Sequence, residues 1–476
     1  MSQTIASIYA PSLYWFAYQY HRGLVTSSEG TTAKILGGIN PQWVRNQYDR
    51  ILKKFEVDLE LDIRQDESAQ DFDLLRGSDD ERAIAFFTTP QHLEGFIYPQ
   101  SLHDSYALNF NIYHPESRGK KEYKLEILAK FNPENCFKPE PEFASNLGQT
   151  LLLSGYLNTT APENIRDLEP LAKQCWIKFF HLENGKPLPP LYRAYNLFGG
   201  YLYEYGSPKA NLEKNPYGHL LIWFLFEEYP TLMLQKCYWE LPELLLYYHK
   251  ISKIFQDSRM YYEGADRLVT HYETTLNPAI QTYLNLQKKS PFSATELQNL
   301  KTTLKILLKT SLNYTKELRN LEYAHNTIAI NSKNYQTSLE RMEKQAHTGM
   351  EGLRLFHDKE AIAFQEQIRA DLNYFYPGSN LLNEAIATIR GLVEIDQAER
   401  DRHLEQQIQT FGTAIAFGAL VASLSPLLFD HPMTFPWQEH HGDRLHPFII
   451  AVLLSIAVAA LAWGVAGLIR WRWNRR

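Results

Sequence analysis

The chain has 476 residues, enough for two or three cores at about 100–200 residues per domain. It is 44% hydrophobic and 21% charged with a mean hydropathy of −0.37, a globular composition in which any membrane signal has to be local. The formal net charge of −6 offers no basic face and so no electrostatic case for a nucleic-acid partner.

Met1–Ile5 carries no basic region followed by an apolar run and a cleavage site, so no signal peptide is expected. Residues 1–240 read as a cytosolic mixed α/β domain with an antiparallel-leaning sheet, because the dominant period is two. Helical patterns fall at Pro41–Lys54, Ala161–Lys173 and Thr231–Trp239. Phe55, Val57, Leu59, Leu61 and Ile63 alternate with acidic residues as in a half-exposed strand, and Tyr106–Ile112 and Tyr123–Ala129 repeat the pattern. Ala83–Phe87, Trp176–Phe180 and His219–Phe226 read as more buried strands, with a helix the alternative for the last. Tyr201, Tyr203 and Tyr205 alternate along one strand as packing residues, and Gly199-Gly200 beside them marks a bulge or turn. Cys136, Cys175 and Cys237 stand far apart, as unpaired buried thiols of a reducing compartment do.

Residues 241–376 read as a long helical stalk. A 3–4 register runs from Leu244 to Leu276, where Pro278 interrupts it. A second register runs from Leu297 through Tyr314, Leu321, Tyr335, Met342 and Gly349 to Phe356, the pattern of one rod about 90 Å long. Ser311, His325, Ser332 and Gly349 interrupt the apolar seam, which favours antiparallel rods over a tight parallel zipper and makes His325 a packed residue. Tyr376-Pro377-Gly378-Ser379-Asn380 is expected to break the helix before a premembrane helix over 381–409.

Thr410–Phe429 and Pro447–Ile469 contain no charge, and each is long enough to cross a hydrocarbon core of about 30 Å. Arg390, Arg400 and Arg402 precede the first run, and Arg470, Arg472, Arg475 and Arg476 form a basic tail over 470–476. The loop 430–446 holds one cation, Arg444. Positive-inside counting therefore predicts a two-span hairpin with both ends cytosolic, in a cell inner membrane. Phe435 and Trp437 would anchor the outer interface, and Trp471 and Trp473 the inner one. Ala414, Gly418 and Ala422 in the first span, with Ala460 and Gly464 in the second, permit close helix approach.

No phosphate-loop, dinucleotide, zinc-protease, C-x-x-C or nucleophile-elbow signature is present, so no enzyme and no resident cofactor is expected. The loop between the spans gathers Asp430, His431, Glu439, His440, His441, Asp443 and His446, imidazoles and carboxylates of the kinds that attract divalent cations.

A cytosolic α/β domain, stalk helices and a C-terminal hairpin resemble the CorA family of divalent-cation channels over residues 240–476. Tyr217-Gly218-His219-Leu220-Leu221-Ile222-Trp223, Tyr248-His249-Lys250-Ile251 with Ser258-Arg259, and Ile389–Ile395 resemble CorA-like bacterial proteins of unassigned role. The Gly-Met-Asn filter of CorA channels is missing, since Leu427-Leu428-Phe429-Asp430-His431-Pro432-Met433 stands at its place. The resemblance implies a pentameric homo-oligomer conducting Mg²⁺, Co²⁺ or Ni²⁺. Thr410, Gly412, Thr413, Ala416, Ser423 and Ser425 are its candidate pore-lining residues. The alternative is a membrane-anchored sensor or effector, such as an accessory component of a prokaryotic antiviral system, whose cytosolic domain binds a ligand or partner.

Overall fold

The computed structural model describes residues 7–21, 23–26, 33–36, 40–64, 71–76, 82–115, 121–139, 146–182, 188–210, 215–287, 292–424 and 447–473. The protein is mixed α/β, with an N-terminal sheet and long C-terminal helices. It forms two compact units, Met1–Val269 with Leu312–Ser379, and Thr270–Ser311 with Asn380–Arg476.

In the first unit the strands are β1 (Ser7–Tyr20), β2 (Gly23–Thr26), β3 (Ala33–Leu36), β4 (Asp71–Asp73), β5 (Ala85–Thr88), β6 (Glu94–Leu102), β7 (Ser105–Tyr113), β8 (Glu122–Lys124), β9 (Gly148–Tyr156), β10 (Leu191–Leu197), β11 (Gly200–Tyr205) and β12 (His219–Leu225). A ten-stranded sheet is ordered β10-β11-β12-β9-β1-β7-β6-β4, with β5 on β6 and β8 on β1, while β2 and β3 pair separately. Among these pairs only β9–β12 is parallel.

Side chains alternate between the sheet's faces. One face carries Leu13, Trp15, Phe110, Leu151, Leu153, Ile222 and Phe224 into a core closed by α1 (Gln42–Lys54) and α2 (Glu169–Phe179). Tyr203 and Tyr205 belong to this core. Phe198 and Gly199, both at positive φ, form the two-residue turn between β10 and β11. The other face carries Tyr14, Phe16, Thr150, Ser154, His219 and Trp223, as the register pairs them.

Several sequence expectations need correction. Residues 55–63 alternate in burial as expected, yet join the sheet only through the single bridge Ile63–Leu75. The strand expected over 123–129 stops at Lys124 and tightens into a 3₁₀ turn, Leu125–Phe131, burying Leu125, Leu128 and Phe131. Trp176–Phe180 is not a strand, because Leu171, Ala172, Cys175, Trp176 and Phe179 line one face of α2. The helix expected from Ala161 starts later, at Glu169, behind a 3₁₀ turn capped by Asn164. All three cysteines are free and buried, and burial pushes the Cys136 thiol up to about 12.

Beyond α3 (Tyr229–Cys237) come α4 (Leu241–His271), α5 (Asn277–Gln287), α6 (Ala294–Ala346), α7 (Glu351–Leu355), α8 (Ile362–Leu424) and α9 (Pro447–Trp473). Before Pro278 the chain passes through a π turn, Tyr272–Leu276. Within the first unit α4, α6 and α8 pack as a bundle. Tyr314 meets Phe375 and Tyr335 meets Phe356, so α6 and α8 run antiparallel. Phe255 stacks on Phe364 at 3.9 Å, Arg259 pairs with Asp371 and Tyr262 meets Phe375, so α4 and α8 run parallel.

The expected 60-residue rod is therefore a hairpin. Helix α6 ends at Ala346, His347 takes a positive φ, and Glu343 ties the turn by accepting from Met350 N at 2.9 Å and pairing with Arg354. The apolar register continued to Phe356 because Met350 and Phe356 begin the returning limb and are themselves buried. Pro377 does not break α8. Tyr314 fills the space beside it, its hydroxyl donating to the Phe375 carbonyl at 2.6 Å and lying 2.6 Å from where a Cβ on Gly378 would sit.

The second unit buries Ile280, Leu300, Leu382, Ile389 and Leu392. Ser293 and Glu296 form a reciprocal capping box at the start of α6. Asp396 accepts from Phe292 N at 3.0 Å and pairs with Arg400. Near the end of α8, Gly418 approaches Ala459 and the Ser455 carbonyl of α9, with a Cβ built at Gly418 lying 3.3 Å from each. Ala414 and Ala451 are buried as well, 7% exposed each, whereas Ala460 and Gly464 are exposed. The small-residue packing face of α9 is thus 451–455–459 rather than 460–464.

Candidate functional site

The residues that converge lie on the α4-covered face of the sheet. A polar row crosses four adjacent strands, from Arg193 on β10 through Glu204 on β11 and His219 on β12 to Thr150 on β9. Arg193 Nε is 2.9 Å from Glu204, whose other oxygen is 3.1 Å from His219 Nε2. Thr150 Oγ1 lies 3.0 Å from His219 Nδ1 and 2.8 Å from His249 Nε2, the latter on α4. Tyr248 stacks on the His219 ring at 4.4 Å. Glu360 stands 3.7 Å from Arg193 and accepts from the Tyr192 hydroxyl. Thr150, His219, His249 and Glu204 are all at least nine-tenths buried.

With both imidazoles neutral, the hydrogen bonds impose one order on the row. A carboxylate only accepts, so His219 donates to Glu204 through Nε2–H and presents a bare Nδ1. Thr150 donates its hydroxyl proton to that nitrogen and accepts from His249 Nε2–H. His249 Nδ1 is then left as a lone-pair acceptor.

That nitrogen faces a cavity of about 310 Å³ lined by Gly148, His219, His249, Ser252, Lys253 and Gln256 among others. Gly148, at φ +124°, is what leaves it open: a Cβ there would stand 2.8 Å from His249 Nδ1. Gln256 holds the far wall by donating to the Pro208 and Ala210 carbonyls. Lys253 sits on the rim, paired with Asp257 at 2.6 Å. The cavity offers an acceptor in its floor and a cation at its mouth, which suits a small polar ligand carrying both a donor and an acceptor. Among the described residues no group of three or more His, Cys, Asp or Glu could hold a metal ion.

Burial, reinforced by the neighbouring His219, holds His249 well below the ordinary histidine value. The folded state then binds fewer protons than the unfolded chain in the acid range. This contribution to stability is complete above the unfolded pKa of about 6.5 and is lost as pH falls below it, by up to about 1.4 kcal/mol per pH unit. The melting temperature of the wild type is expected to drop more steeply between pH 7 and pH 5 than that of His249→Gln; equal slopes would contradict this. Gly148→Ala is expected to cost about 1–3 kcal/mol through its backbone conformation alone, read as an earlier urea midpoint, and to narrow the cavity.

The sequence-level site residues fare differently. Thr410, Thr413 and Ser423 lie on α8 with their hydroxyls donated to the helix's own carbonyls, Gln406, Gln409 and Leu420, at 2.6–2.8 Å. Gly412 has nothing within 4 Å of a built Cβ, and Ala416 is exposed. Ser425, Asp430, His431, Glu439, His440, His441, Asp443 and His446 lie outside the described residues. His325 is half-buried on α6. Sequence reasoning did not bring His219 and His249 together, although both motif fragments, Tyr217-Gly218-His219 and Tyr248-His249, stood out separately. Compared with family models, with curated proteins and with solved structures, the chain matches none.

Proposed function

We propose that the chain is a membrane-anchored sensor or effector. Its N-terminal unit is cytosolic and reads a small polar ligand at the His219–His249 cavity. The end of α8 and α9 cross the bilayer as a hairpin with both ends inside. The observation that carries the membrane reading is uncovered apolar surface. Phe411, Ile415, Phe417, Leu420 and Leu424 on α8, with Leu453, Ile456, Leu461, Trp463 and Leu468 on α9, are 48–69% exposed. Water penalises such a surface and hydrocarbon does not. Among the described residues one continuous helical run, Glu351–Leu424, which takes in α7 and α8, is long and apolar enough to span a membrane, and its apolar part is almost wholly uncovered. The shorter apolar stretch of α9 runs Ile449–Val465. Alkaline carbonate extraction tests the anchor: full-length protein is expected in the pellet, and its release to the supernatant would end this reading.

A second reading, the CorA-like pentameric channel, gains from the continuity of α8. The helix runs through Pro377 into the apolar segment, as a stalk helix joined to a first span would. Uptake of Mg²⁺, Co²⁺ or Ni²⁺ by proteoliposomes, abolished by Gly412→Leu, would favour the channel; no uptake would leave the sensor.

A further inference from the structure

A second cavity, of about 450 Å³, opens on the same face of the sheet but at the other end of β9 and β12. The His219–His249 cavity sits at Gly148 and His219, where those strands begin; this one sits at Tyr156 and Leu225, where they end. A β-bulge marks the place. Between the pairs Tyr9–Tyr156 and Ser12–Ser154 the register of β1 slips, and Ala10 is forced to φ 44°. Bulges at such positions re-aim side chains and interrupt pairing.

The floor is polar where a covered sheet face would ordinarily be aliphatic. Ser12 stands opposite Ser154 across β1–β9, and Asn111 stands opposite Tyr14 across β1–β7. Ser154 is 7% exposed and Asn111 2%. Asn111 spends its amide on the Leu13 carbonyl, and the Ser12 and Ser154 side chains join it in the cavity's lining. The walls are aromatic. Phe96, Tyr238 and Trp239 meet one another as tilted or edge-on rings at 5.0–6.3 Å, and Tyr14 meets Tyr238 at 5.6 Å. Burial lifts the Tyr14 hydroxyl to about 12, so that wall stays neutral. Among the described residues no Asp, Glu, Lys or Arg lines the cavity, His114 is the imidazole in its lining, and the exposed Gln235 of α3 stands at its edge.

We propose that this cavity binds an uncharged, planar heteroaromatic molecule. Flat electron-rich walls reward a flat ring through offset and edge-on contacts. Hydroxyls in the floor, from Ser12 and Ser154, reward hydrogen-bonding groups on the ring's edge. A charged ligand would lose its water without gaining an ionic partner. The volume falls in the range of small-molecule sites, about 300–1,000 Å³. The site is separate from the histidine cavity and does not depend on it.

The test uses purified full-length protein and titrates adenine, caffeine and lumichrome, with choline as the cationic comparison, read by tryptophan fluorescence and calorimetry. At least one neutral ring is expected to bind saturably. Trp239→Ala and Ser154→Val are each expected to weaken it at least tenfold, with Lys253→Ala, at the other cavity, staying within twofold. Gln235→Trp changes an exposed residue and so keeps the fold, as a wild-type melting temperature would show, and is expected to block binding. No saturable binder in the panel, tighter binding of choline, or unchanged affinity in a folded Gln235→Trp would each overturn the proposal.

Discussion

Replacing Glu204 with alanine is expected to lower the unfolding free energy by about 3–5 kcal/mol, the cost of leaving one member of a buried ion pair uncompensated. Glu204 and Arg193 are only 6% and 14% exposed in their side chains and stand 2.9 Å apart. Arg193 Nη2 already has no hydrogen-bond partner among the described residues, and Glu360 at 3.7 Å is its sole further carboxylate there. Removing Glu204 therefore strands a guanidinium and also frees His219 from the group that orders its tautomer. Glu204→Gln keeps the shape and an acceptor for His219, so it is expected to fall between alanine and wild type. Urea unfolding of the full-length protein checks both variants. A loss below about 1 kcal/mol in Glu204→Ala would mean that water reaches Arg193.

The second large effect concerns the apolar helices. Ile415→Lys with Ile456→Lys is expected to release the protein from the carbonate-resistant fraction, since a lysine at mid-membrane costs about 2.5–3.5 kcal/mol on the insertion scale. Both positions are exposed, at 69% and 61%, so neither substitution opens a cavity in the chain's own core. In water the same two lysines would raise solubility and leave the fold alone. Persistent membrane association of the double variant would show that something other than these helices holds the protein there.

The parts legible in sequence were those in which a single period repeats without tertiary help. Leu300, Leu307, Tyr314, Leu321, Ile328, Tyr335 and Met342 keep step over about twelve turns of α6, and all are buried. β7 showed itself in the same way, by the alternation of Tyr106, Leu108, Phe110 and Ile112. β1 did not: it is 14 residues long and buried on both faces along much of its length, so SIYAPSLYWFAYQY shows no alternation to read. The hairpin at 347–350 was masked because the returning limb happens to stay in phase with the outgoing one. Pro377 misled because the helix is held on both sides of it by tertiary packing, with Tyr314, 63 positions away in sequence and adjacent only in the folded bundle, bonding the Phe375 carbonyl. The candidate site was the least legible. Arg193, Glu204, His219 and Thr150 each read as a stray polar residue in its own strand, and only the register sets them in one row. His249 reaches that row from a helix, a contact no local pattern encodes.

The interleaving of the two units has a consequence for biosynthesis. The first unit needs residues up to Ser379, because Leu312–Ser379 belongs to it, although its sheet is complete by Leu225. Its bundle therefore cannot close while the chain is still shorter than that. At about 5–20 residues per second, the ribosome moves from Ser379 to the apolar stretch beginning at Thr410 in roughly 2–6 s. The bundle of the first unit and the apolar end of α8 thus emerge almost together, so the nascent chain has little time to finish one before the other leaves the ribosome. A stop codon after Gln287 would leave the sheet and α4 without α6 and α8, a product that exposes Phe255 and Tyr262 and invites degradation.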